Sequence, residues 1–252
     1  DYLYTKNASP FEVFLAEVGD TILAYEANHY QMTRPLSYTN WLTTDLLTHP
    51  NEPDPKEDLV SVNTEHIKTT KKAFAGMFAS YHVYPYYPEF MNYEPTYQDW
   101  IDPKTNEQNP YKAYLKDLID AHHMPVLVAE FGLPSSRGIT HLNPIGYHQG
   151  GHTETEQGHL LVDLIHAIHE SDAMGALIFS WQDEWFKRTW NTMDFDLSWR
   201  RPFWSNIETN EQFFGILAME PNSQDSTHHV DQSLTDWHDM TPLHETSTQK
   251  IW

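Results

Sequence analysis

Cysteine is absent from this chain, so it can build no disulfide framework, no thiolate nucleophile and no thiolate metal centre. Cations are scarce: fifteen Lys and Arg face thirty-six Asp and Glu, a formal charge of −21. A field of that sign repels phosphate backbones and anionic bilayers, so no nucleic-acid and no membrane partner is expected, and neutral or cationic ligands remain. Acidity of this degree also serves solubility alone. No apolar run approaches the ~20 residues of a membrane span. No signal peptide is visible and the first residue is Asp rather than Met, so the expectation is a processed form or a fragment. The lack of cysteine is compatible with secretion, and an extracellular or cell-surface setting is expected.

What is present is enough apolar material, 39% of 252 residues, for one sizeable core or one domain plus a tail. Aromatics reach 14%, with nine Trp and fourteen Tyr. Most aromatic enrichment is packing. The excess here also fits exposed flat rings of the kind that stack on sugars or other ligands.

Along the chain no repeat or low-complexity block occurs; helix, short apolar strand and polar, aromatic-rich loop alternate instead. Ser9-Pro10 opens a helix, Ser as cap and Pro in the first turn. Phe11, Phe14, Leu15, Val18, Ile22 and Tyr25 then share one helical face. Arg34 to Trp41 reads as a strand, the Pro-rich acidic stretch Asn51 to Asp58 as a surface loop, and Phe74 to Tyr84 as a second strand. A helix is predicted from about Tyr111 to His122. Met124 to Phe131 follows as a continuous apolar strand, the pattern of burial on both faces. A helix over Glu154 to Glu170 leads to a last buried strand, Gly175 to Trp181. This alternation implies βα units and a parallel sheet. The rhythm is lost after about residue 205, so residues 206–252 are expected to be an extension or the start of a β-rich domain.

In a parallel sheet the reactive groups gather where strands end, so the last residues of each strand are the candidates. Glu130 closes the run Val126-Leu127-Val128-Ala129, where a carboxylate is costly unless it faces a polar site or a partner such as Arg137 or Arg188. His82 and Tyr84 share a side of their strand and can hydrogen-bond a neighbouring carboxylate; the plain alternative is two rings filling a core. Trp181 ends the last strand as a flat apolar floor, with Gln182, Asp183 and Glu184 beyond it. Asn40, Trp41 and Asp45 form a fourth polar and aromatic strand end.

Taken in order, these ends resemble the later strands of the large clan of retaining glycoside hydrolases built on (β/α)8 barrels, which includes β-galactosidases, β-mannanases and endoglucanases. Glu130-Phe131-Gly132 is similar to the nucleophile ending the seventh strand, His82-Val83-Tyr84 to the His-x-Tyr ending the sixth, and Trp181 to the Trp beneath the attacked sugar. Arg34-Pro35 resembles the Arg-Pro that opens the fifth strand, and the agreement runs from about Ser9 to Trp190. The fold implied is α/β: a TIM barrel, of which residues 1–205 carry strands five to eight. The resemblance implies a covalent glycosyl-enzyme on Glu130, with hydroxyl contacts from Asn40, Asp45, Gln182 and Asp183, a carbohydrate as partner and no cofactor. The clan's acid/base Glu ends the fourth strand. No such residue precedes the first helix here, where Glu12, Glu17 and Glu26 lie within the helix itself. The acid/base is therefore expected outside this chain, in the missing half-barrel or another chain; Asp45 and Glu184 are poor substitutes. The open edges of a half-barrel would call for such a complement.

Two other functions fit parts of the sequence. A carbohydrate-binding derivative of the barrel would keep the aromatics and lack the acid. A transition-metal site could draw on His148, His152 and His159, with further histidines at His122-His123, His141 and His228-His229. Gly150-Gly151 argue against the helix that the four-residue His spacing needs, so no metal is expected and solvated histidines are the better reading.

Overall fold

The computed structural model describes residues 1–54, 56, 60–184 and 212–217, and the backbone of His244–Glu245 and Lys250–Ile251. The chain divides into two compact units, Asp1–Ile216 and Leu217–Trp252, so the first unit runs about ten residues past the boundary read from the sequence. Within the second, β7 (His244–Glu245) and β8 (Lys250–Ile251) form an antiparallel pair. Apart from these two strands and residues 212–217, the stretch 206–252 lies outside the described residues, as do Arg188, Trp190 and His228-His229.

In the first unit the elements run β1 (Leu3–Thr5), α1 (Pro10–Tyr30), β2 (Thr39–Trp41), β3 (Ile67–Thr69), β4 (Ala79–His82), α2 (Phe90–Tyr93), α3 (Pro95–Gln98), α4 (Pro110–Ala121), β5 (Val126–Phe131), α5 (Glu154–Glu170) and β6 (Gly175–Ile178). Strands β2, β4, β5 and β6 form a four-stranded sheet in that order, parallel at every pairing. The fold class is thus α/β with a parallel sheet. The strands are shorter than the apolar runs suggested. Before β2 and β4, only the parallel bridge between Leu36 and Met77 continues the pairing. The antiparallel pair β1–β3 was not foreseen.

Local chemistry explains the helices. Ser9 caps α1 in a reciprocal capping box with Glu12, Thr153 does the same for α5 with Glu156, and Asn109 caps α4 just ahead of Pro110. Apolar residues of α4 and α5, among them Tyr114, Leu115, Leu118 and Leu164, pack with Tyr81, Val128 and Phe131 of the sheet in the main core. Each such burial stabilises by roughly 1.5–3 kcal/mol.

The face that α1 buries is not the one its large apolar residues mark. Ala16, Gly19 and Leu23 are buried with Glu12 and Glu26, while Phe11, Phe14, Val18, Ile22 and Tyr25 are exposed. The small residues decide this, because a Cβ at Gly19 would collide with Tyr38, Leu36 and Leu3. The two buried glutamates are satisfied there. Glu12 accepts from the backbone N–H of Ser9 and Asn63 and meets His66, and Glu26 accepts from the Arg34 N–H and pairs with its guanidinium.

Two strands read as buried, the first of them on both faces, are partly open among the described residues. In β5, Val126, Val128 and Phe131 are buried while Leu127, Ala129 and Glu130 are partly open. In β6, an edge strand of the sheet, Leu177 is 55% exposed. The helices pack on one face of the sheet, and on the other Leu127, Ala129 and Glu130 of β5 stay partly exposed.

Candidate active site

Glu130 owes its position to an irregularity in β5. Tyr81 of β4 pairs with Val128, but the next residue, His82, pairs with Glu130. On the other side Val128 pairs with Ala176 and Phe131 with Ile178. Strand β5 therefore carries one residue more than either neighbour, a bulge over Ala129-Glu130. Strict alternation would place Glu130 with Val126 and Val128 on the buried face. The bulge turns it to the open face and returns Phe131 to the core.

On that face Tyr84 Oη donates to Glu130 Oε2 at 2.8 Å, and His82 Nδ1 lies 3.2 Å from the same oxygen. The Glu130 and His82 side chains are each about one-third exposed, whereas Tyr84 is buried. The strand end is braced from behind, where Val83 N–H donates to Glu130 O and Tyr111 Oη donates to Val83 O. Both side-chain contacts fall on Oε2. No arginine pairs with Glu130 among the described residues.

The other expected site residues fall into two groups. Trp41 is half-buried beside the site, its ring 6.1 Å from that of Tyr84 and 5.9 Å from that of Tyr87. Trp181 is 65% exposed past the end of β6, with Gln182 also exposed and Asp183 and Glu184 half-buried. Asp183 Oδ1 accepts from the Gly215 N–H at 2.7 Å; burial pushes its carboxyl up, against the hydrogen bonds from Gly215 and Phe213.

Asn40 and Asp45 are not brought to the open face. Asn40 is buried, with Nδ2 donating to Val62 O. Asp45 is 1% exposed, accepting from Tyr114 Oη at 2.7 Å and from Leu47 N–H, with His49 Nε2 at 3.1 Å. A carboxylate so enclosed serves the loop and α4 rather than a sugar hydroxyl or a proton in flight.

Sequence reasoning missed two contributors, the 212–216 segment and Tyr87, and weighed a third, His141, only as a metal ligand. The segment 212–216 returns to the site: Phe214 packs edge-on to Tyr84 and Phe179, and its carbonyl accepts from Ser180 N–H. Gly215 permits this, since a Cβ there would meet Asp183 and Gln182. The signal was an apolar Phe213-Phe214-Gly215 in a polar tail. The other two, Tyr87 and His141, stand on the loops after β4 and β5 with ring centroids 4.4 Å apart.

The histidines of the Gly-rich stretch are engaged in their own loop. His148 Nδ1 accepts from Asn143 N–H, His152 Nε2 contacts His148 O, and Gly150 and Gly151 have positive φ. Among the described residues no group of three or more His, Asp or Glu converges as a metal site, and no helix is long and apolar enough to cross a membrane.

Comparison with protein-family models, with curated proteins and with solved structures finds no match for this chain.

Proposed function

We propose that the chain carries the nucleophile of a retaining O-glycoside hydrolase acting on a β-linked oligo- or polysaccharide, in a (β/α)8-type architecture of which the four parallel strands are part. The observation that carries this reading is the Glu130 carboxylate at the carboxyl end of a parallel strand, lifted from the buried face by a bulge and gripped by Tyr84 and His82.

The Glu130 carboxylate attacks the anomeric carbon through an oxocarbenium-like transition state as the glycosidic C–O bond breaks. A second carboxyl group, about 5–5.5 Å away in enzymes of this mechanism, protonates the departing oxygen and then deprotonates the water that releases the sugar. Tyr84 and His82 fix the orientation of the nucleophile. The second carboxyl is not among the described side-chain partners of Glu130 and is supplied by another residue or a partner chain; an extracellular or cell-surface setting suits such a substrate.

An aryl β-glycoside with an activated leaving group needs little protonation, so it tests Glu130 independently of the acid. The chain is expected to hydrolyse it and to be labelled on Glu130 by a fluorosugar inactivator, detected by mass spectrometry. Glu130→Gln is expected to remove both, and unchanged hydrolysis by that variant would refute the assignment.

A second reading, a non-catalytic carbohydrate-binding barrel derivative, is favoured by one observation. Among the described residues the side-chain partners of Glu130 are Tyr84 and His82, and neither is a carboxyl group. It predicts saturable sugar binding with no turnover of any aryl glycoside.

A further inference from the structure

Tyr84, which touches Glu130, belongs to a closed cluster of rings at the carboxyl ends of β2, β4 and β5; on one side Tyr86 lies 5.6 Å from Tyr84 and 6.4 Å from His141. On the other, Trp41 lies 6.1 Å from Tyr84, Tyr87 5.9 Å from Trp41 and His141 4.4 Å from Tyr87, each ring tilted 31–48° to the last. Trp41, Tyr87 and His141 are half-buried, unlike the fully enclosed Tyr81 and Tyr114, so packing fixes the rings while part of each meets solvent.

The two loops that supply Tyr87 and His141 are pinned to each other. Buried Asn143 donates through Nδ2 to Pro85 O at 2.8 Å and to Asn92 Oδ1 at 3.0 Å, and buried Asn92 donates through Nδ2 to Leu142 O at 3.3 Å. A pair of buried amides is a costly way to hold a surface loop unless its position matters. The result is a platform ordered before any ligand arrives, which lowers the entropy cost of binding.

We propose that Trp41, Tyr87 and His141 form a second sugar subsite, so that the preferred substrate has at least two linked, neutral sugar rings; this rests on the glycosidase reading of Glu130. Sugar rings present apolar C–H faces to aromatic rings and turn their hydroxyls outward. Glu89 Oε1 lies 3.6 Å from His141 Nδ1 and sets a carboxylate beside these aromatic rings. Within a chain of −21 formal charge, that rim accepts hydroxyl hydrogen bonds and repels uronic acids.

The test is calorimetric titration of the chain, held inactive by Glu130→Gln, with cellotetraose, mannotetraose and galactotetraose and with the methyl β-glycosides of the same sugars. At least one tetraose is expected to bind about tenfold or more tighter than its methyl glycoside. Tyr87→Ala and His141→Ala should each reduce that preference about tenfold, and Tyr87→Phe should keep it. The preference is a ratio within one folded protein, and each variant's thermal unfolding is followed alongside. Equal binding of tetraose and methyl glycoside, or a preference untouched by both alanine variants, overturns the subsite. Hydrolysis of aryl glycosides with no tetraose preference removes the subsite and leaves the nucleophile. A Tyr87-dependent preference in a chain that turns nothing over keeps the subsite and ends the hydrolase reading.

Discussion

His82 stands opposite Glu130 in the parallel ladder although Tyr81, immediately before it, stands opposite Val128. Ala129 is the residue passed over, and it shares the open face with Glu130. Deleting Ala129 removes the bulge and still leaves Val128 and Phe131 facing the core, with Glu130 between them on the open face. The deletion variant is therefore expected to fold cooperatively, with a straighter β5 that no longer aims Glu130 at Tyr84 and His82. A misplacement of about 1 Å costs on the order of 100-fold in rate. Circular dichroism should show a folded protein and aryl-glycoside hydrolysis should fall by about that factor; full activity would show that the bulge has no part in presenting Glu130.

Tyr84→Phe isolates one bond. The ring contacts with Trp41 and Phe214 persist, and only the donor to Glu130 Oε2 is lost. A hydrogen bond to a charged group is worth about 1.5–3 kcal/mol, so kcat/KM should fall roughly 10- to 100-fold with little change in thermal unfolding. A loss of stability with unchanged turnover would make Tyr84 a packing residue.

Much of this site was readable as a list of strand ends, and little of it as geometry. Glu130, His82 and Tyr84 end apolar runs, and that placement needs only residue order. The bulge that unites them is invisible in periodicity, because one extra residue in a six-residue strand looks like ordinary apolar sequence. Helix starts were legible, since Ser9-Pro10 and Asn109-Pro110 act locally. The buried face of α1 was not, because it depends on the closeness of Tyr38 to Gly19, a contact between distant segments. The enclosure of Asp45 was not legible for a similar reason: Tyr114, which covers it, lies on α4. Tyr87 was passed over and His141 was weighed only as a metal ligand, because their loops meet through contacts between distant residues, such as that of Asn92 with Asn143.

Acidification should destabilise the fold in two stages at one buried junction. Burial holds the His122 imidazole below its usual 6.5, against the pull of Glu65 upward. Burial pushes Glu65 upward, but bonds from His123 N–H, Lys68, His122 and Met124 N–H outweigh it and hold the carboxyl down at about 2 against 4.5 unfolded. A depressed folded value means stability that is present above the unfolded value and lost as pH falls through the folded one. The His122 contribution is therefore lost first, below about pH 6.5, and that of Glu65 between about 4.5 and 2. Urea unfolding across pH 7 to 3 should show both stages, and Glu65→Gln should flatten the lower one. A variant with unaltered acid dependence would remove Glu65 from the account.

The inverted face of α1 makes a contrast of two substitutions decisive. Ile22 is 47% exposed, so Ile22→Gln should change stability by no more than about 0.5 kcal/mol despite removing a large apolar side chain. Gly19→Ala would ordinarily stabilise a helix interior by about 1 kcal/mol. Here the added methyl meets the Tyr38 hydroxyl, with Leu36 Cδ2 at 2.8 Å and Leu3 Cδ1 at 2.9 Å. Tyr38 cannot yield freely, because its hydroxyl donates to Leu15 O at 2.7 Å. Overpacking of this kind costs roughly 1–3 kcal/mol and outweighs the propensity gain, so Gly19→Ala should be the more damaging of the two in urea unfolding. If Ile22→Gln proved the costlier, the stripe of Phe14, Val18 and Ile22 would be the buried face after all.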